Sequence, residues 1–303
     1  MAKGITNVAA SVHQRLLNKA KESSRPFNEL LQYFAIERFI YRLSKSAHAD
    51  QFILKGALMF SAWCGPASRP TMDIDLLGKT DNRIDTITTV MKDACLIDVE
   101  PDGISFNAET VEAVRITEDA EYEGVRARVH GNLGKARISI QIDIGFGDVI
   151  VPNAGTVLYP TIFDFPAPEL KGYTMESTIA EKFQAMVKLG VLNSRMKDYY
   201  DIWFLSRTFD FKGEVLTEAI VKTFEKRNTH VNLKAALFDS AFGMDREKNV
   251  QWRGFINKAK LTGAPESFGD IVAAVILFLE PLAAAIVEQK RFISVWVAPG
   301  PWR

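Results

Sequence analysis

Cysteine is scarce: Cys64 and Cys95 are the only two in 303 residues, and they sit in no metal-ligand spacing. That excludes a disulfide framework and fits a reducing compartment with both thiols buried. Net charge is missing as well, with 37 lysines and arginines against 37 aspartates and glutamates. No global positive field marks a nucleic-acid binder, so any such partner must be held by a local patch. No apolar leader opens the chain; Met-Ala-Lys-Gly-Ile-Thr runs into a polar amphipathic segment, and the expectation is a protein that is not exported. The most apolar stretch, Ile271 to Val287, is broken by Glu280 and Pro281 and reads as a buried helix, not a membrane span. No internal repeat or low-complexity tract occurs. A soluble, cytoplasmic, globular protein is the expectation.

At 47% hydrophobic residues the chain can bury one large or two ordinary cores. Its most informative passage is 53–77, which reads as a strand, a glycine turn, a short helix, a loop and a second strand carrying two carboxylates. Gly56 lets backbone N–H groups approach phosphate oxygens at a helix N-terminus. Asp73 and Asp75, two residues apart on a strand, project from one face and can hold a divalent ion between them. The pair lies among Ile74, Leu76 and Leu77, where unpaired carboxylates would be costly without a neutralising partner. A metal-dependent phosphoryl or nucleotidyl transferase needs this arrangement; surface charge is the bland alternative.

Helical periodicity places two helices first, near Val8–Lys21 and Pro26–Ser46, and another near Ile84–Ala94. Period-two alternation then predicts strands near Val111–Thr117, Val125–His130 and Ala136–Ile144, the last two joined by a turn at Gly131–Lys135. Ile138, Ile140, Ile142 and Ile144 share one face, leaving Arg137, Ser139, Gln141 and Asp143 on the other. Arg126, Arg128 and His130 take the polar positions of the partner strand. Such a face is either a cleft floor or a solvated sheet. From about Pro168 the pattern is helical: Glu176–Gly190, Asp198–Arg207, Glu214–Arg227, a region around Asn232–Ala241, and Ser267–Gln289. The Pro-rich passage Pro160–Pro168 suggests a boundary between a domain at 1–165 and one at 166–303. The tail from Phe292 adds an edge strand or packs on the helices.

In the helix after Glu176, Ile179, Phe183 and Met186 face the core, and Lys182 flanks that stripe while Glu181 and Lys188 lie opposite. Lys182 either contacts a triphosphate as a point charge or snorkels along the helix border. In Ser194-Arg195-Met196-Lys197-Asp198-Tyr199-Tyr200-Asp201 the plain account is capping, with Asp198 as N-cap and Asp201 in the first turn. The sharper account has one acid acting as general base or orienting Lys182, with Arg195 and Lys197 contacting phosphates.

Four blocks in order, Leu54-Lys55-Gly56, Arg69-Pro70-Thr71-Met72-Asp73-Ile74-Asp75-Leu76, Ala180-Glu181-Lys182-Phe183 and Lys197-Asp198-Tyr199-Tyr200-Asp201, resemble the AbiEii/AbiGii-type nucleotidyltransferase toxins of bacterial toxin–antitoxin and abortive-infection systems. The resemblance spans roughly 28–208. It implies an α+β fold with a polymerase-β-like nucleotidyltransferase core, a mixed sheet, N-terminal helices and a helical C-terminal domain completing the active-site cleft. It also implies a nucleoside triphosphate and Mg²⁺ as ligands, an antitoxin as partner and a part in phage defence. Carried across, Lys55, Gly56 and Ala57 with Asp73 and Asp75 form the first motif, and Asp143 takes the third metal-carboxylate position. Lys182 is then the catalytic lysine and Asp198 the fourth-motif aspartate, with Asp201 beside it; Arg69, Arg195 and Lys197 join the nucleotide contacts. Ala57 departs from the family pattern, which has a second Gly or a Ser there, and so lacks a hydroxyl for phosphate. The implied reaction transfers a nucleoside monophosphate from an NTP to an acceptor, the tRNA 3′ end, with a protein or small-molecule acceptor and a non-catalytic nucleotide-binding module as alternatives. One local feature favours RNA: nine basic residues against four acids between Lys222 and Lys260, interleaved with His230, Trp252 and Phe255.

Overall fold

The computed structural model describes residues 7–65, 71–118, 122–261 and 263–303. The chain divides into two units, 1–147 with 155–173 and 148–154 with 174–303. Pro160–Pro168, where composition suggested a boundary, lies inside the first unit, and the chain changes unit between Tyr173 and Thr174.

The first unit opens with α1 (Val8–Ser23), whose N-terminus is capped by the Asn7 side chain accepting from the Ala10 N–H. Helix α2 (Phe27–Lys45) starts directly after Pro26, which fixes φ for helix entry. There follow β1 (Phe52–Lys55), α3 (Ala57–Cys64), β2 (Asp73–Gly78), α4 (Ile84–Leu96), β3 (Ile104–Glu118), β4 (Tyr122–Leu133), β5 (Ala136–Phe146), β6 (Gly155–Leu158) and β7 (Glu169–Gly172). Among the described residues the strands form one mixed sheet in the order β3-β4-β5-β2-β1-β7-β6. Strand β2 runs antiparallel to β1 and parallel to β5, so the central strand of the site is hydrogen-bonded on both edges. The alternation in β5 is realised: Ile138, Ile140, Ile142 and Ile144 are buried, as are Val125, Ala127 and Val129 of β4 and Ile74 and Leu76 of β2. Helix α2 packs on β5 and β7, and α4 on β3 and β4. The opposite face carries Lys55, Asp73, Asp75, Arg126 and Asp143 beside the buried Ile53 and Leu77.

Strand β3 begins at Ile104, earlier than alternation indicated, because a register shift between Asn107 and Glu112 interrupts its period. Strands β6 and β7 are four residues each and leave no periodic signal. The β4–β5 turn is tighter than the segment 131–135, with Gly134 at φ +59 and Lys135 linking strands that end at Leu133 and begin at Ala136.

One buried ion pair fastens α2 to the approach of β3. Arg42 donates to both carboxylate oxygens of Asp102, at 2.7 and 3.1 Å, and to the Ile104 carbonyl, while Asp102 accepts from the Ile104 N–H. Both side chains are almost fully enclosed, so each charge depends on the other for its solvation.

The second unit contains α5 (Met175–Leu189), α6 (Met196–Thr208), β8 (Phe211–Lys212), α7 (Gly213–Lys226), α8 (Ser240–Met244), α9 (Arg246–Ala259), α10 (Phe268–Val287) and β9 (Val295–Trp296). Helix α9 gave no apolar stripe in the sequence, and only Trp252 of its residues is buried. Helix α10 is long and apolar enough to cross a membrane by length and composition, yet it packs against α6, α7, α8 and α9, with Phe268, Ile271, Val275, Phe278 and Leu282 buried. The tail does both things left open above. It pairs β9 with β8, and Trp302 stacks on Phe278 at a ring separation of 5.5 Å.

Asp102→Ala is expected to destabilise the first unit by about 3–5 kcal/mol, because it strands the Arg42 charge in the interior. Equilibrium urea unfolding checks this; a loss under about 1 kcal/mol, the range of an exposed pair, would show that solvent reaches the site.

Candidate functional site

The sheet register assembles the N-terminal half of the candidate set. Lys55 stands opposite Asp75, Asp75 opposite Asp143, and Asp143 opposite Arg126, giving one cross-strand row over four strands with the charge order plus, minus, minus, plus. Directly opposed residues point to the same face, so the four side chains lie together on the polar side. Asp73, two residues before Asp75, shares that face and stands opposite Gln141. Two adjacent carboxylates repel, and the flanking cations offset this. Arg126 closes a two-pronged bond onto Asp143, Nε to Oδ1 at 2.7 Å and an η-nitrogen to Oδ2 at 2.8 Å. The Nζ of Lys55 also lies 5.4 Å from the ring centroid of Tyr173.

Gly56 has a reason beyond phosphate access. Its φ is +69, and a Cβ built there would meet Asp75 Oδ2 at 1.9 Å. The Asp75 carboxylate therefore occupies the space a side chain at 56 would fill, and glycine is required on both grounds. Helix α3 follows at once, with Ala57 buried in its first turn and no side-chain cap at its N-terminus. Its first N–H groups carry the positive end of the helix dipole.

A hollow of about 10 Å³, room for roughly one water-sized particle, is lined by Lys55, Asp75 and Asp143 among others. Among the described residues no three carboxylate, histidine or cysteine side chains converge in the manner of a metal site. The donor chemistry nonetheless suits a hard cation, with the Asp73 and Asp75 oxygens on one strand face. Asp143, assigned above as the third ligand, has both oxygens given to Arg126, whose role the sequence reading missed. Its signal was present as a basic residue on the polar face of the strand neighbouring Asp143.

The C-terminal half assembles separately in the second unit. Lys182 Nζ lies 2.7 Å from Asp198 Oδ1 and 2.8 Å from Asp201 Oδ2, and Arg195 Nε lies 2.8 Å from Asp198 Oδ2. Both aspartates are fully buried. This corrects the capping account: α6 starts at Met196 with Arg195 in the N-cap position, and Asp198 lies within the first turn with its carboxylate turned inward. Lys182 is not snorkelling either, since its side chain is 14% exposed and pairs with two acids. Lys197 is exposed. Arg69 lies outside the described residues.

The basic segment is altered by the structure. Trp252 is fully buried and donates to the Pro265 carbonyl, so it offers no face to a base. Arg227 is held by Asp148 at 2.9 Å and Glu181 at 3.2 Å, and is committed to the unit's own folding.

The first unit thus carries a strand–glycine–helix–strand unit with Asp75 against the glycine and Asp73 on the same strand face. Residues 38–274 match the family described as "Nucleotidyl transferase AbiEii toxin, Type IV TA system", and the chain belongs to that family. Its α+β architecture with a mixed sheet is the nucleotidyltransferase fold. Two solved structures resemble it at 12% identity. One is an H. pylori protein assigned as a nucleotidyltransferase, at TM-score 0.46, covering 88% of this chain and 99% of that one. The other is JHP933 from Helicobacter pylori, at TM-score 0.43, with 94% and 96% covered. No curated protein matches the chain at a significant level.

Lys182→Met is expected to cost about 3–5 kcal/mol in urea unfolding, because it removes the ammonium that two buried carboxylates share. Adding Asp201→Asn should recover part of that loss, so that the double variant is less destabilised than the sum of the singles. Strict additivity would mean that Lys182 and Asp201 are not coupled.

Proposed function

We propose that this nucleotidyltransferase toxin transfers a nucleoside monophosphate from an NTP to the 3′ end of tRNA, acting in the cytoplasm against phage infection and opposed by a cognate antitoxin. The observation that carries the nucleotidyl-transfer reading is the register match of Asp75 with Asp143, with Gly56 against Asp75 and Asp73 on the same face. The family resemblance supports tRNA as acceptor.

In the reaction an acceptor hydroxyl attacks the α-phosphorus in line; the new O–P bond forms as the bond to the bridging α,β-oxygen breaks, pyrophosphate leaves, and the hydroxyl proton passes to solvent. Asp73 and Asp75 would hold Mg²⁺, which neutralises charge developing on the phosphoryl oxygens. The first turn of α3 offers backbone N–H groups to phosphate, which compensates in part for the hydroxyl that Ala57 lacks. Lys55, opposite Asp75, keeps a positive charge beside the carboxylates and is suited to draw an anionic nucleotide to them. By the family pattern Lys182 neutralises triphosphate charge. Asp198 and Asp201 then serve as positioning residues that hold its ammonium, which the two short contacts favour over a role for Asp198 as general base.

Incubation of the full chain with total bacterial RNA, Mg²⁺ and each α-³²P-labelled NTP in turn tests this. Label is expected in a tRNA-sized band with one preferred nucleotide, and is expected to vanish in the Asp73→Ala/Asp75→Ala variant. Label on protein or small-molecule acceptors instead would overturn the tRNA assignment, and label that persists without the two aspartates would overturn the site.

A further inference from the structure

A cavity in the first unit shares no lining residue with the hollow at Lys55, Asp75 and Asp143. Its volume is about 320 Å³, at the small end of the roughly 300–1,000 Å³ range of small-molecule sites. Elements far apart in sequence make its wall: the end of α1, the buried flank of α2, α3, and the segment after β6. Leu30, Leu58, Pro160 and Ile162 give it an apolar lining, and Tyr33 and Tyr159 add two aromatic rings.

The polar groups in the wall are held mainly by the protein itself, with Glu37 Oε1 facing the Arg38 charge but making no hydrogen bond. Glu37, 1% exposed, lies 3.0 Å from Arg38 Nε and accepts from the Ile162 N–H at 2.7 Å. The Tyr33 ring lies near Glu29 and Thr71, and the Tyr159 ring near Ser61. Burial pushes the Glu37 carboxyl up to about 7 and the Tyr33 phenol up to about 12, and raises Tyr159 likewise, so the rings stay neutral at physiological pH. The wall thus calls for a flat apolar body, with little need for inward-facing polar atoms. At the rim the chemistry changes. Lys19 is exposed, and Arg25, paired with Glu29, sets its guanidinium 5.3 Å from the Tyr33 ring centroid. An anion at the rim meets two cations.

We propose that this cavity is a small-molecule site, outside the nucleotidyl-transfer site, for a planar aromatic anion whose ring lies against Tyr33 and Tyr159 and whose charge faces Lys19 and Arg25. Its position links it to the carboxylates through the chain itself. Tyr33 and Thr71 both line the cavity, and Gln32 of the same helix donates to the Met72 carbonyl at 3.2 Å, so α2 is tied to the residue that precedes Asp73. A ligand seated on Tyr33 and Thr71 steadies the segment that delivers Asp73, which makes the site suited to regulation.

The probe is 8-anilinonaphthalene-1-sulfonate, a planar aromatic anion, with its uncharged counterpart N-phenyl-1-naphthylamine, each titrated by fluorescence into the full chain. One saturable site is expected for both, abolished by Thr161→Trp, which fills the cavity. Lys19→Gln/Arg25→Gln should weaken the sulfonate by roughly tenfold at low salt and leave the neutral probe unchanged, as loss of two screened surface charges implies. Hydrogen exchange of amides 71–75 should slow with the sulfonate bound. Unchanged binding in Thr161→Trp, an equal loss of both probes on removing the rim charges, or unchanged exchange at 71–75 would each overturn the proposal. If Thr161→Trp fails to fold by circular dichroism, the rim variant and the exchange measurement decide.

Discussion

Charge compensation across four hydrogen-bonded strands is the constraint on which the first unit's chemistry depends. Asp75 and Asp143 stand next to each other because β2 and β5 run parallel in a fixed register, and a slip of β2 by one residue would turn Asp75 into the apolar layer that holds Ile142 and Ile144. That layer makes the slip costly: Ile74 and Leu76 would have to leave it at about 1.5–3 kcal/mol each. The hydrophobic alternation thus fixes the carboxylates, and Lys55 and Arg126 make their adjacency tolerable. Electrostatic strain in the row remains available for a cationic ligand.

The second unit solves a similar problem differently. Asp198 and Asp201 lie one helical turn apart on α6, fully buried, and the ammonium of Lys182 reaches both from α5. Arg195 adds a second cation to Asp198. Lys182 and Arg195 offset the two acids, which lets charged groups sit in an interior that also holds aromatic contacts such as Tyr199 with Phe268. Its rigidity is the feature suited to presenting a lysine in one orientation.

Much of this was legible in the sequence where the signal is local. The i, i+2 spacing of Asp73 and Asp75, the glycine at 56 and the two-residue period of β5 each follow from geometry within a few residues. Pairings between distant segments were not legible. Arg126 could be placed on the polar face, but its two-pronged bond to Asp143 depends on the hairpin register, seventeen residues apart. Asp198 looked like a cap because an acid at a helix start has the same local signature whether it faces the N–H groups or the interior; only tertiary packing turns it inward. Trp252 and Arg227 looked available to RNA for the same reason, since burial of the one and the ion pairs of the other come from residues far along the chain. Helix α9 escaped detection because polar residues surround its single buried tryptophan.

The proposed cation site is Asp73 and Asp75, with the neighbouring Asp143 withheld from it by Arg126. Calorimetric titration of Mn²⁺, standing in for Mg²⁺, into the full-length chain and into Asp75→Asn and Arg126→Met tests it most directly. Asp75→Asn should lose binding, while Arg126→Met, which frees Asp143 from its guanidinium, should bind more tightly than the unmodified chain. Binding insensitive to Asp75, or weakened by removal of Arg126, would contradict the account.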